Sequence, residues 1–91
     1  MNILIIEDEH RNANRLQQLL HEINEEIKIA DVLESVADSI EWFGQHDEPD
    51  LILMDVRLAD GLCFEIFSAC NINAPVIFTT AYDEYAIRAF K

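Results

Sequence analysis

The sequence predicts an α/β domain: a parallel sheet with helices on both faces. Three observations carry this. Residues 3–6 (ILII), Leu51–Met54 and Val76–Phe78 are short, continuous apolar runs, the pattern of strands buried on both faces. Between them lie stretches whose apolar residues fall at helical spacing. The two kinds of segment alternate, β-α-β-α-β-α-β-α, an order that gives a parallel sheet with right-handed crossovers.

Taken in order, residues 3–6 form the first strand. Ala13, Leu16, Leu20 and Ile23 keep helical spacing, with Leu19 beside them, so a first helix spans about residues 11–21 or beyond. Residues 27–32 (IKIADV) alternate at first, with Lys28 outward, which suits a half-exposed edge strand. Ser35 can cap the second helix, with Asp38 three residues on as a capping-box acid. Val36, Ile40 and Phe43 make its buried stripe, and Gly44 is a natural stop. Leu51–Met54 is the next strand, Asp60-Gly61 turns the chain, and Cys63, Ile66, Phe67 and Cys70 mark a third helix. Residues 73–75 break it before the strand Val76–Phe78, and a further helix begins near Tyr85.

The 91 residues make one domain, and a chain of this size buries only about two-thirds of its unfolded surface. With 51% hydrophobic residues, a packed core is expected. Eighteen acids against six Lys and Arg leave a formal charge of −12, which argues against direct binding of nucleic acid or an anionic membrane. No basic leader and no apolar run of about 20 residues is present, which points to a cytoplasmic module. Cys63 and Cys70, seven apart, fit neither zinc nor redox spacing and read as small apolar residues in a reducing compartment. His10, His21 and His46 are scattered and read as surface or structural, and Trp42 and Phe43 as core and helix-surface aromatics.

The three apolar runs share a feature: each stops at polar, reactive groups. Glu7 and Asp8 follow the first, Asp55 the second, and Thr79 and Thr80 the third. In an open parallel sheet, ligands bind outside the carboxyl ends of the strands. If the first and third strands are neighbours, three carboxylates converge. Two full charges about 4 Å apart repel by about 4 kcal/mol at an effective dielectric near 20, so either a pKa rises or a cation sits among them. Hard oxygen donors with room for water and phosphate suit Mg²⁺. A divalent cation lets a phosphoryl group approach an acid, and Asp55 is then the candidate nucleophile.

The segments ILIIEDEH, PDLILMDVRLADG and PVIFTTAYDEYA resemble the receiver domain of bacterial two-component response regulators. The match covers the whole chain, and the ending FTTAYDEYAIRAFK is most similar to receivers joined to LytTR-type DNA-binding domains. The resemblance implies a flavodoxin-like parallel sheet of strand order 2-1-3-4, with the family's fifth strand and fifth helix missing. It implies that Asp55 is the phosphoacceptor, Asp8 a direct Mg²⁺ ligand and Glu7 one acting through water. Arg57 would give its backbone carbonyl to the metal. Thr80 matches the switch hydroxyl that binds the phosphoryl oxygen, with Thr79 its competitor, and Ala81 the small residue beside it. The donor would be a sensor histidine kinase, and the output transcriptional.

Two departures from the family stand out. Ala59 replaces a frequent Pro four residues after the acceptor, read as loop variation with little chemical effect. The chain also ends before the family's phosphoryl-pairing Lys; Lys91 belongs to the predicted fourth helix and does not fill that role. This implies a receiver incomplete at its C-terminus, slowed acyl-phosphate formation, and either marginal stability or self-association through the fourth-strand edge. Tyr82 and Tyr85 lie on a face that such domains use for partners. Two other readings stand beside the phosphoacceptor: a fragment that no longer phosphorylates and serves as an interaction module, and a Mg²⁺-dependent phosphohydrolase with an Asp nucleophile. The second usually carries another Asp two residues on, where this chain has Arg57.

Overall fold

The computed structural model describes residues 1–79. Their elements are β1 (Asn2–Ile6), α1 (His10–Ile23), β2 (Lys28–Leu33), α2 (Val36–Gln45), β3 (Leu51–Met54), β4 (Arg57–Leu58), β5 (Gly61–Leu62), α3 (Phe64–Ala69) and β6 (Val76–Phe78). Four strands form one parallel sheet in the order β2-β1-β3-β6, the predicted 2-1-3-4 with β6 as its fourth strand. The helix expected from Tyr85, together with Thr80, Ala81, Tyr82 and Lys91, lies outside the described residues.

Period-two alternation sends each central strand into two cores. Ile3 and Ile5 of β1 and Leu53 of β3 pack with Ala13, Leu16 and Leu20 of α1 on one face. Leu4 and Ile6 of β1 and Ile52 and Met54 of β3 pack with Val36, Trp42 and Ile66 of α2 and α3 on the other. Burial on both faces is why these strands read as unbroken apolar runs. β2 is an edge strand, and its mixed burial fits the half-exposed reading.

The sheet ends level. Ile6 pairs with both Leu33 and Met54, and Met54 with Phe78. One further rung lies beyond them: Glu7 N–H donates to Leu33 O (2.8 Å), Asp55 N–H to Ile6 O (2.9 Å) and Thr79 N–H to Met54 O (2.9 Å). The backbone of the polar residues closes the sheet, so their positions are as fixed as the strands.

Several expectations need correction. Gly44 lies inside α2 and does not stop it; the helix runs to Gln45, where His46 stacks on Trp42 (4.5 Å) and its N–H closes on Trp42 O (3.1 Å). Ile23, placed on the buried stripe of α1, is 76% exposed. The fourteen residues of α1 extend about 21 Å against about 17 Å for the five of β1, so the helix outruns the strand it covers. Leu19 lies to the side of the stripe and is exposed. In the six-residue α3, Ile66 is buried with the preceding Cys63, while Phe67 reaches only the rim beside Phe78. Cys63 and Cys70 are free thiols, Cys70 only half-buried. The small antiparallel pair β4-β5 was not foreseen.

The Ser35 cap is present: its hydroxyl accepts from the Asp38 N–H at 3.0 Å. Ser35→Ala should cost about 1 kcal/mol, read as a fall in thermal midpoint of about 4–8 °C for a domain of this size. An unchanged midpoint would show that the cap contributes nothing.

Candidate functional site

Glu7, Asp8 and Asp55 each place a carboxylate oxygen within 4.8 Å of the others, just beyond the level ends of β1 and β3. Glu7 is buried at 3% exposure, Asp55 half-buried and Asp8 exposed, so the cluster forms a graded opening from sheet to solvent. Asp55 Oδ1 accepts from the N–H of Val56 (2.8 Å), and Glu7 Oε2 from that of Glu9 (3.3 Å).

The electrostatic consequence falls on Glu7. Burial raises its pKa to about 7, against the Glu9 N–H, which lowers it, and with the charge of Asp55 adding to the rise. Hydrogen bonds from the Glu7 side chain to those of Asp55 and Asp8 push in the same direction. Near neutral pH a proton can thus sit where three charges would otherwise meet. A hard divalent cation would answer the same problem. The donor set fits one: all three groups are carboxylates, and Asp8 is open to solvent for water to complete the shell. No Cys or His belongs to this cluster, and Cys63 nearby is a buried thiol pushed up to about 12, first by burial and then by the charge of Asp55.

Arg57, expected to turn its carbonyl toward a metal, opens β4 two residues past Asp55. The loop carrying it is a built hairpin. Arg57 pairs with Leu62 and Leu58 with Gly61, and the Cys63 N–H bonds Val56 O at 2.8 Å across the base. Val56 and Leu58 are buried and anchor it in the core. At its tip, Asp60 reaches 24 residues back along the chain to the N-terminus of α2: its Oδ1 accepts from Val36 N–H (2.6 Å) and its Oδ2 from Ala37 N–H (3.0 Å). Those two bonds, Val36 first, hold its pKa below the ordinary carboxylate value. From the sequence alone, Asp60-Gly61 reads as a plain turn, and this contact is not visible. An Asp before Gly signals a turn locally and says nothing of a partner elsewhere.

Of the two hydroxyl candidates, Thr79 is described. Its Oγ1 is buried with no hydrogen-bond partner, and the residue lines a small cavity of about 190 Å³ together with Glu7, Asn12 and Arg15. Thr80 and Ala81 lie outside the described residues. Of the histidines, His10 pairs with Glu34 at the surface and His46 stacks on Trp42, in keeping with structural roles. Among the described residues no helix is long and apolar enough to cross a membrane.

Known proteins resemble this chain in sequence and fold. The chain is 34% identical over 94 residues to the sensory transduction protein LytT of Bacillus cereus, covering all of this chain and 37% of that protein. It is 38% identical over 96 residues to the transcriptional regulatory protein LytR of Staphylococcus aureus, again covering 37% of the relative. Among solved structures, the response regulator REC domain of PhyR from Erythrobacter litoralis superposes with a TM-score of 0.79 at 28% identity, over 99% of this chain and 70% of that one. The chain thus spans little more than a third of the length of these curated relatives. The response regulator receiver domain family matches residues 3–91, and with the level sheet and its acidic end this places the chain in that family.

Proposed function

We propose that this chain is the phosphoacceptor of a two-component pathway, with Asp55 as the acceptor. The observation that carries the reading is the convergence of Glu7, Asp8 and Asp55 at the carboxyl ends of two adjacent parallel strands. Such a cluster has no use in packing: it costs Coulomb energy that the fold tolerates through a raised Glu7 pKa. Catalytic and binding sites are where such costs concentrate.

The chemistry follows from the residues. An Asp55 carboxylate oxygen attacks the phosphorus of a phosphohistidine on a sensor kinase. The new bond is an acyl phosphate, and the P–N bond to the kinase imidazole breaks, returning its electron pair to that nitrogen. Asp8 and Asp55 would hold Mg²⁺ directly, with the Arg57 carbonyl, and Glu7 through water. When bound, the cation neutralises the acids and the incoming phosphoryl oxygens. With a cation bound, Glu7 would hold its carboxylate unprotonated beside it. Thr80 would take a phosphoryl oxygen on its hydroxyl, with the small Ala81 leaving room beside it. The chain is a substrate of the transfer rather than an enzyme, and in a longer protein it would drive a transcriptional output.

Incubation with Mg²⁺ and a small acyl phosphate should add one phosphoryl group, read by intact mass, and Asp55→Asn should abolish the gain. A gain that persists in the Asn variant places the acceptor elsewhere, and no gain in the parent chain contradicts the reading.

A pH dependence follows from Glu7. Its folded pKa of about 7 lies above the ordinary glutamate value, so its contribution to stability is whole at low pH and is lost as pH rises from about 4.5 through 7. Without a divalent cation, the thermal midpoint of the parent chain should fall over that range more steeply than that of Glu7→Gln. Mg²⁺ should restore more at pH 8 than at pH 5, with a gain of about 2.7 kcal/mol at one hundred times Kd. Equal slopes for parent and variant would remove Glu7 from the account.

A further inference from the structure

The bonds between Asp60 and α2 join two segments that the phosphoacceptor chemistry leaves unconnected. α2 has its first three N–H groups satisfied from two directions: Val36 and Ala37 by Asp60, and Asp38 by Ser35. The Ser35 bond is local. The Asp60 bonds cross from the hairpin that starts two residues after Asp55. The Ala59 N–H adds a longer bond to Glu34 O (3.4 Å), where β2 passes into α2. The hairpin is therefore pinned at both ends: at its base by the Cys63–Val56 bond and the buried Val56, at its tip by the Asp60 carboxylate. Arg57 lies between the pins.

A carboxylate is well chosen for this tip. It accepts two N–H bonds at once, and the N-terminus of a helix favours negative charge there. Asp60 is exposed, and its two bonds to the start of α2 hold its carboxylate. Behind it Gly61 adopts φ +154°, a conformation that glycine takes readily, and the Glu65 carboxylate occupies the space a Cβ would take, accepting from the Leu62 N–H (3.0 Å).

We propose that Asp60 is a positioning residue for the metal pocket: by clamping the β4-β5 hairpin to the N-terminus of α2, it fixes the backbone of Arg57 against the acids at Asp55 and links the state of that pocket to α2. This rests on the phosphoacceptor reading. Asp60 touches neither cation nor phosphoryl group; it acts through the backbone it holds.

The test is a Mg²⁺ titration of the parent chain, Asp60→Ala, Asp60→Asn and Ser35→Ala, followed by backbone amide resonances, with a thermal melt of each. Asp60→Ala should weaken Mg²⁺ binding about tenfold, the low end of the range for groups that hold a ligand in place. Asp60→Asn keeps one oxygen acceptor and should recover most of that loss. Ser35→Ala removes a cap from the same helix and should lower the melt while leaving Mg²⁺ affinity as in the parent. The Val36 and Ala37 amides should move with Mg²⁺ in the parent and stand still in Asp60→Ala. An Asp60→Ala affinity equal to the parent's overturns the inference. So does equal weakening by Ser35→Ala, which would reduce Asp60 to a helix cap. A parent chain that binds no Mg²⁺ overturns the metal reading itself, and this inference with it.

Discussion

Like charge held at close range by backbone registry is the constraint on which the rest of this structure turns. β1 and β3 pair in parallel and end level, Ile6 beside Met54, so the residues that follow have no choice but to meet. Each is then fixed by its own N–H, Glu7 on Leu33 and Asp55 on Ile6. At an effective dielectric near 20, each fully charged pair at this spacing would repel by about 3 kcal/mol or more. The fold answers with a proton on Glu7 where the side chain is buried, and with solvent where Asp8 is exposed. A cation would exchange for that proton with little rearrangement, because the donors are already assembled.

The acids elsewhere have a different use. With a net charge of −12, the chain carries self-repulsion that compactness must overcome. Several carboxylates are spent as acceptors for backbone N–H groups far away in sequence. Asp60 takes Val36 and Ala37, Glu48 takes Asn73 (2.5 Å) and Ala74 (3.2 Å), and Asp50 takes Asn2 (2.7 Å). The Asp60 and Glu48 ties join loop segments that no ladder joins, whereas the Asp50 tie reinforces the β1–β3 pairing. Glu48 holds the turn before β6, and Asp50 holds the start of β1 to the start of β3. Surface acidity here is a means of stitching loops, and the same chemistry at Asp60 connects the hairpin after Asp55 to α2.

The fold was legible because its strongest signals are nonlocal only in outcome. ILII, LILM and VIF read as doubly buried strands, and the β-α alternation leaves few topologies; the strand order came with the resemblance to receiver domains, and the meeting of Glu7, Asp8 and Asp55 needed the first and third strands to be neighbours, as they are. What escaped depended on lengths and distant partners. Ile23 kept the helical period but ran past the end of the strand beneath it. Gly44 carried the local mark of a helix end, yet the Trp42–His46 stack carried the helix on. The β4-β5 hairpin has two-residue strands, too short for any period to register, and the Asp60 bonds cross 24 positions. Periodicity reports which face a residue buries; it does not report which backbone group a carboxylate will find.

The fold itself, with no metal bound, forces these acids together. The most direct measurement is a carboxyl-carbon NMR titration of Glu7 in the parent chain, first without divalent cation and then with Mg²⁺. The account predicts a metal-free midpoint near pH 7, displaced downward when Mg²⁺ is added. A Glu7 that titrates at the ordinary glutamate value of about 4.3, unmoved by Mg²⁺, would mean that the three carboxylates are not held together in solution.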